Sequence, residues 1–441
     1  MCPRCILPHL VHVNDFVSAT QTPSLSEPAP ASEPDSSPLS NAVLLMGGQL
    51  LGLAVPLVTI PYLARVLGPD EWGPVLTAQA FGNWLLLLFE FGFELSGTRA
   101  IARARVAPKQ IDDIVHGVQS AKALLVGASV PIVLAIVAAL PSVRGRSALF
   151  TFALLFAVLR GLSPLWFFQG IERMKAAVAV DSITRAIAAL AVFVLVRGPN
   201  DGAWVLALQA IFSAVSLVIL TMWLYRRVVF RLPVVRAGVS TLRASYNIFA
   251  CRAWISLYIA GNTLILSAMT GPAVVAFFGG AERIVRAAVN LIAPVTGAYM
   301  PRVSYLHASD RDAAGRMIRR LLVGVGLFGL VMSIAAFAGA PVLVAVLLGP
   351  EYQQSIPVLR ILSGLPILSA INTVLGLYWA LPFGYERTFL FSIVAAAITD
   401  VALALVLVPR FGAIGMAVAP VAAEVVVLAM LAIAYSRRAR G

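Results

Sequence analysis

From Asn41 almost to its last residue the chain alternates long apolar stretches with short breaks where Pro, Gly and charged residues gather. The apolar stretches run 42–64, 75–97, 117–140, 147–168, 176–196, 203–225, 245–268, 273–298, 320–347, 356–380, 388–408 and 413–435. Each comes close to the roughly 20 residues an α-helix needs to cross about 30 Å of hydrocarbon. None shows the period-two alternation of a membrane β-barrel strand. The pattern therefore predicts an all-α polytopic membrane protein with twelve transmembrane helices. Residues 1–41 stand apart. The segment 18–40 is rich in Ser, Pro and acidic residues, which cannot bury enough apolar surface to fold, and predicts a disordered tail. The first residues lack the sustained apolar run of a cleaved signal peptide.

Composition supports the same class. Of 441 residues 60% are hydrophobic and only 12% charged, with a mean hydropathy of +0.90, against about 25% charged in soluble domains. A water-soluble globule is excluded. The net charge of +13 does not point to nucleic acid, because aromatic and basic residues are not interleaved on a polar surface. Its distribution is more informative than its sum. With the N-terminus inside, the short loops place twenty-one Lys and Arg on the cytoplasmic side; the outer side receives only Arg65, Arg144, Arg146, Arg197 and Arg410. By the positive-inside rule the protein is N-in and C-in. Two six-helix lobes follow, 42–225 and 245–441, after the cytoplasmic tail 1–41. They are joined by a basic cytoplasmic linker, 226–244, whose arginines suit anionic membrane lipids. An LGP-acid-aromatic turn occurs twice, in ARVLGPDEWGPVL (64–76) and AVLLGPEYQQSIPVL (345–359). The two positions are not equivalent in the two halves, and such a turn is also an ordinary helix-start signal.

Charges inside the predicted spans carry the functional content. At the bilayer centre each costs at least about 2.5–3.5 kcal/mol on insertion scales, so such side chains usually face a bundle interior or a wet cavity. Lys122 and Arg360 lie near span ends and are expected to snorkel to the surface. Arg160, Arg185, Arg252, Arg283 and Arg286 are the candidates for binding an anionic passenger. Glu90 and Glu94, at i,i+4 in the second span, predict two carboxylates on one helix face. Asp181 with Arg185 and Glu282 with Arg286 have the spacing of intrahelical ion pairs. Glu90, Glu94, Glu282, Asp400 and Glu424 are candidates for coupling to H⁺ or Na⁺; partnership with interhelical arginines such as Arg160 is the structural alternative.

No catalytic set competes. His9, His12, His116 and His307 fall in the tail or in predicted loops, and HExxH, GxSxG and the P-loop pattern are absent. The Cys2–Cys5 pair has no second pair at zinc-site spacing, and with Cys251 the three cysteines build no disulfide framework. Trp72, Trp84, Trp204, Trp223 and Trp254 lie near span ends, as interfacial belt residues do; Trp166 ends a span and suits a structural role. A non-enzymatic secondary transporter with a central site follows.

Three stretches resemble the polysaccharide (O-antigen type, Wzx-like) flippase family of the multidrug/oligosaccharidyl-lipid/polysaccharide exporter superfamily. They are PYLARVLGPDEWG (61–73) continuing into FGFELSGTRAIARAR (91–105), LWFFQGIERMK (165–175), and VVAFFGGAERIVRAAVNLIAPVTGAYMPRVSYL (274–306). The resemblance covers 41–436. It implies two lobes that open alternately to each face around a cationic cavity. The implied passenger is a polyprenyl-pyrophosphate-linked oligosaccharide, moved to the outer leaflet of a bacterial inner membrane with no cofactor beyond an ion gradient. A polysaccharide polymerase or other glycan-assembly proteins are the implied protein partners. A lipid II flippase or multidrug exporter of the same superfamily, a non-transporting scaffold of a glycan-assembly complex, and a membrane glycosyltransferase are the alternatives.

Overall fold

The computed structural model describes residues 38–104, 107–139, 145–297 and 299–438. Residues 1–37 with Arg4, Cys2, Cys5, His9 and His12, and also Arg105, Arg144 and Arg440, lie outside the described residues. Those described are almost wholly helical, with no strand among them. In chain order the helices are α1 (Pro38–Glu90), α2 (Phe93–Arg103), α3 (Pro108–Ala139), α4 (Ser147–Gly161), α5 (Leu165–Gly170), α6 (Met174–Leu195), α7 (Gly202–Tyr225), α8 (Val235–Ala260) and α9 (Asn262–Met269). They continue as α10 (Pro272–Asn290), α11 (Ile292–Gly297), α12 (Met300–Ser309), α13 (Arg311–Ala338), α14 (Ala340–Leu347), α15 (Ser355–Leu362), α16 (Leu365–Thr373) and α17 (Glu386–Arg438). A π-helical turn, Val374–Ala380, extends α16. Val43–Gly441 forms a single compact unit.

Among the described residues eight helical stretches are long and apolar enough to cross a membrane. The chain is a multi-pass membrane protein. Helices α1 and α17 each contain one glycine with positive φ, Gly68 (φ 69°) and Gly412 (φ 54°). There two helices join across a kink without an intervening loop, because only glycine adopts such a conformation without steric cost. The predicted seventh and eighth spans fall outside the eight. The eighth carries Glu282, Arg283 and Arg286 within the nineteen residues of α10; the seventh is interrupted at Gly261 and bears Arg252, and its helix α8 starts inside the predicted linker with Arg236 and Arg243. The two least apolar segments are thus those that hold most of the candidate arginines. His116 and His307, expected in loops, sit within α3 and α12.

The two LGP turns pack against each other. Gly68 and Gly349 have nearly the same backbone conformation (φ 69°, ψ 171°; φ 107°, ψ 173°), a region essentially reserved for glycine. Each is followed by a proline that starts the next helical turn. Trp72 from the first turn meets Tyr352 from the second edge-on, with ring centroids 5.8 Å apart. The Tyr352 hydroxyl donates to the Ala64 carbonyl at 3.0 Å. Arg65 donates to the carbonyls of Ala345 and Val346, acceptors that the last turn of α14 leaves without intrahelical donors. Trp72 is completely buried, contrary to the interfacial position expected for it, because its ring lies between Tyr352 of the second turn and Gly280 of α10. At Gly73 a Cβ would lie 2.0 Å from the Pro272 carbonyl oxygen. Small residues let backbones of the two halves meet, as in other membrane helix contacts.

At this Trp72 end one apolar core draws on both halves, from Leu63, Leu67 and Val75 to Phe278, Leu348 and Val358. At the opposite end the core divides. One cluster joins Phe93, Ile101, Val118, Trp166 and Leu224 of the first half with Leu242 and Phe249 of α8. The other, from Ile318 to Trp379 and Leu431, belongs to the second half. Within the first cluster the FELSGTRA and LWFFQG motifs interlock. Trp166 covers Gly97, where a Cβ would lie 2.6 Å from its ring, and Gly170 faces Ile101. Thr98 donates to the Trp166 carbonyl at 3.0 Å. The acid of this motif, Glu172, has φ 58° and closes the turn after α5, its amide donating to the Gln169 carbonyl. Trp166 is therefore structural, as expected.

Candidate functional site

A cavity of about 560 Å³ lies among α1, α4, α6, α7 and α10. Four of the five candidate arginines line it: Arg160, Arg185, Arg283 and Arg286. Arg160, in the last turn of α4, and Arg185 of α6 both donate to the buried carboxylate of Asp181. The i,i+4 pair read from the sequence is thus one arm of a triad that ties α4 to α6. Arg286 pairs with Glu282 one turn earlier on α10, at 2.7 Å. Arg283 differs from the rest. Its guanidinium donates to the side-chain oxygen of Gln79 at 2.6 Å and stands over the Trp72 ring at 5.7 Å. Among the described residues it forms no ion pair. A half-buried cation hydrogen-bonded only to a neutral amide is poorly compensated, so Arg283 gains most from an anionic ligand.

Four arginines here meet two carboxylates, Asp181 and Glu282, which leaves the site with two positive charges. The remaining polar lining is neutral: the amides Gln79, Asn83, Gln209 and Asn290 and the hydroxyls Thr59, Thr184, Ser213 and Ser216. These amides were not singled out in the sequence, although Gln79 and Asn83, at i,i+4 within an apolar span, carry the signal. Together the lining offers bidentate cations for phosphate oxygens and neutral donors and acceptors for hydroxyls.

Arg252 does not line this cavity. It lies between Glu90 and Glu94, at 3.5 and 3.3 Å. Those carboxylates do not share one continuous helix, as their spacing predicted: Phe91 (φ 45°) and Gly92 (φ 76°) break the chain between α1 and α2. Gly92 sits against Ile248, and Phe91 stacks on Phe249 at 4.2 Å. The break lets α8 approach, and Arg252 supplies the cation that two neighbouring carboxylates require. Lys122 does not snorkel. It is 2% exposed and donates to the Ser163 carbonyl at 3.1 Å, just past the end of α4. Arg360 is exposed and stands over Phe337, in keeping with a span-end residue.

Of the other carboxylates, Glu424 accepts from the Ser369 hydroxyl at 2.9 Å and from the Asn372 amide, neutral partners rather than an interhelical arginine. Asp400 is completely buried, and among the described residues no cation bonds its carboxylate. Glu282, Arg286 and the amide of Asn262 are its polar surroundings; Asn262, at the start of α9, is itself buried. Asp400 thus borders the charged turn of α10 from the side away from the cavity lining.

A polytopic helical protein with an arginine-lined cavity among its helices is, by fold and site, of the membrane-transporter type. The family described as "Polysaccharide biosynthesis protein" matches residues 39–307. The chain belongs to that family. It is 28% identical over 398 residues to the "Putative O-antigen transporter" of Escherichia coli (strain K12), covering 89% of this chain and 95% of that one. It is 30% identical over 381 residues to the protein of the same name from Shigella dysenteriae, covering 85% and 93%. In fold it is similar to the lipid II flippase MurJ in an inward closed conformation, with a TM-score of 0.69, 12% identity, and 90% and 87% of the two chains covered. A multidrug resistance MATE family transporter of the MOP superfamily, inward-facing, gives a TM-score of 0.63 at 15% identity, covering 88% and 94%.

Proposed function

We propose that this protein flips a polyprenyl-pyrophosphate-linked oligosaccharide from the cytoplasmic to the outer leaflet of a bacterial inner membrane, by alternating access around the arginine-lined cavity. The observation that carries this reading is the cavity itself: two positive charges, one of them Arg283 held by neutral groups, beside a lining of amides and hydroxyls. A doubly negative pyrophosphate matches the first and a glycan the second. A volume of about 560 Å³ falls in the ordinary range for a small-molecule site. It takes a head group and leaves the lipid tail in the bilayer. The names of the O-antigen relatives support the same passenger class over a drug, since a site for organic cations would be acidic.

In this reading the chain crosses the membrane twelve times as two six-helix lobes, N-in and C-in, and the Trp72 end faces outward. The core shared by both halves at that end supports a state closed to the outside; at the other end α8 crosses to pack on the first-half cluster. Asp400, completely buried beside the neutral amide of Asn262, is the carboxylate that a coupling proton or Na⁺ would serve; its proximity to Glu282 links it to Arg286. Glu90 and Glu94, engaged by Arg252, are better suited to holding α8 in place.

Deleting the gene tests the proposal. Lipid-linked glycan should accumulate on the cytoplasmic leaflet, protected from probes in intact cells and exposed in inverted vesicles. Unaltered sidedness would overturn it.

A further inference from the structure

The basic linker contains a feature that the cavity does not use. Between α7 and α8 the segment RRVVFRLPVVR (226–236) has no regular structure over most of its length, yet it is fixed to the first turns of α3. Arg231 pairs with Asp113 at 2.7 Å. The Val229 amide donates to Asp112 and the Val234 amide to Ser120, while Val228 is buried in the first-half core. So anchored, the strap turns its apolar side chains outward: Val229, Phe230, Leu232 and Val235 are each at least 60% exposed. Arg226, Arg227 and Arg236 are exposed among them.

Its depth follows from its attachment. α7 is one of the helices apolar enough to cross the membrane and ends at Tyr225. Phe230 folds back so that its ring meets Tyr225 edge-on at 5.1 Å, which sets it at the level of that helix end. Exposed apolar side chains mixed with arginines at the end of a membrane helix have the chemistry of an interfacial segment, with apolar groups in the acyl boundary and guanidinium groups at phosphate depth. We infer that residues 226–236 form a membrane-surface strap that binds the head groups of anionic phospholipids with Arg226, Arg227 and Arg236 and buries Phe230 and Leu232 beneath them. A protein partner is the competing occupant. The alternation of cations with apolar groups over one short segment favours lipid, and continuity with the membrane-facing surface of α7 places the bilayer beside it.

The test uses the full chain in nanodiscs, with the native cysteines replaced by serine and an environment-sensitive fluorophore on Leu232→Cys. In discs containing phosphatidylglycerol the probe should be quenched by lipids carrying a shallow spin label and shielded from aqueous iodide. In phosphatidylcholine discs this protection should weaken several-fold. The triple variant Arg226→Gln/Arg227→Gln/Arg236→Gln should abolish the difference between the two lipids, and the corresponding Lys variant, which keeps the charge, should restore it. Thermal unfolding of each variant reports whether it folds, and the Lys rescue separates lost charge from lost structure. Iodide access in every bilayer would overturn the proposal, as would equal protection in both lipids. Protection seen only in native membranes, and not in nanodiscs of either lipid, would assign the strap to a protein partner instead.

Discussion

At the residue scale the site depends on how each arginine is compensated. Arg283 has an amide and an aromatic ring but no carboxylate, so Arg283→Gln should reduce glycan transport at least ten-fold while leaving the folded protein's abundance unchanged. Arg283→Lys should recover part of the loss, because it restores charge but not the planar fork that grips phosphate bidentately. Quantifying surface glycan against membrane protein level checks both. Asp181 is different. It is 3% exposed and holds two arginines. Asp181→Asn should destabilise the protein by about 3 kcal/mol, the low end for breaking a buried ion pair, since Arg185 remains 59% exposed and partly screened. Thermal unfolding in detergent measures this. These roles were only partly legible in the sequence. A charge in an apolar run announces itself, and i,i+4 spacing named two of the pairs. That Arg160 joins Asp181 and that Arg252 leaves the cavity for Glu90 and Glu94 depends on interhelical packing, which spacing along one helix does not encode.

At the element scale, close backbone contact replaces apolar bulk. The glycines at 73, 279 and 280 let the helices of the two halves meet at the Trp72 end. Gly73→Ala would place a methyl 2.0 Å from the Pro272 carbonyl oxygen, a contact that no rotamer relieves. The variant should open that end, seen as faster thiol labelling of Leu348→Cys, which is otherwise fully buried. Unchanged labelling would show that the contact does not hold the halves together. Gly97→Ala, crowding Trp166, should instead lower stability by about 1–3 kcal/mol, the usual cost of overpacking. Helix positions were legible because apolar run length is set by bilayer thickness. The breaks at Phe91–Gly92 and Gly261 were not, because both fall within apolar runs whose length alone suits a continuous span, although Gly92 and the Gly261–Asn262 pair carry a stop signal. Likewise, the repeated LGP turn was visible as a repeat, but the pairing of its two copies is a fact of tertiary structure.

At the scale of the whole molecule the proposal requires the Trp72 end to part so that the cavity can empty outward. Arg65 and Val346 are exposed on opposite halves and joined by a hydrogen bond. Cysteines at both positions, linked by a short bifunctional thiol reagent, should arrest transport, and each single cysteine treated alike should not. Reconstitution provides the most direct measurement of the central claim. The purified protein in proteoliposomes, with a polyprenyl-pyrophosphate-linked oligosaccharide in the bilayer, should move that lipid between leaflets, as scored by the fraction open to a glycan-modifying enzyme added outside. Wild-type protein should approach complete accessibility and Arg283→Gln should remain near the level of protein-free vesicles. Equal rates for wild type, variant and empty vesicles would contradict the account.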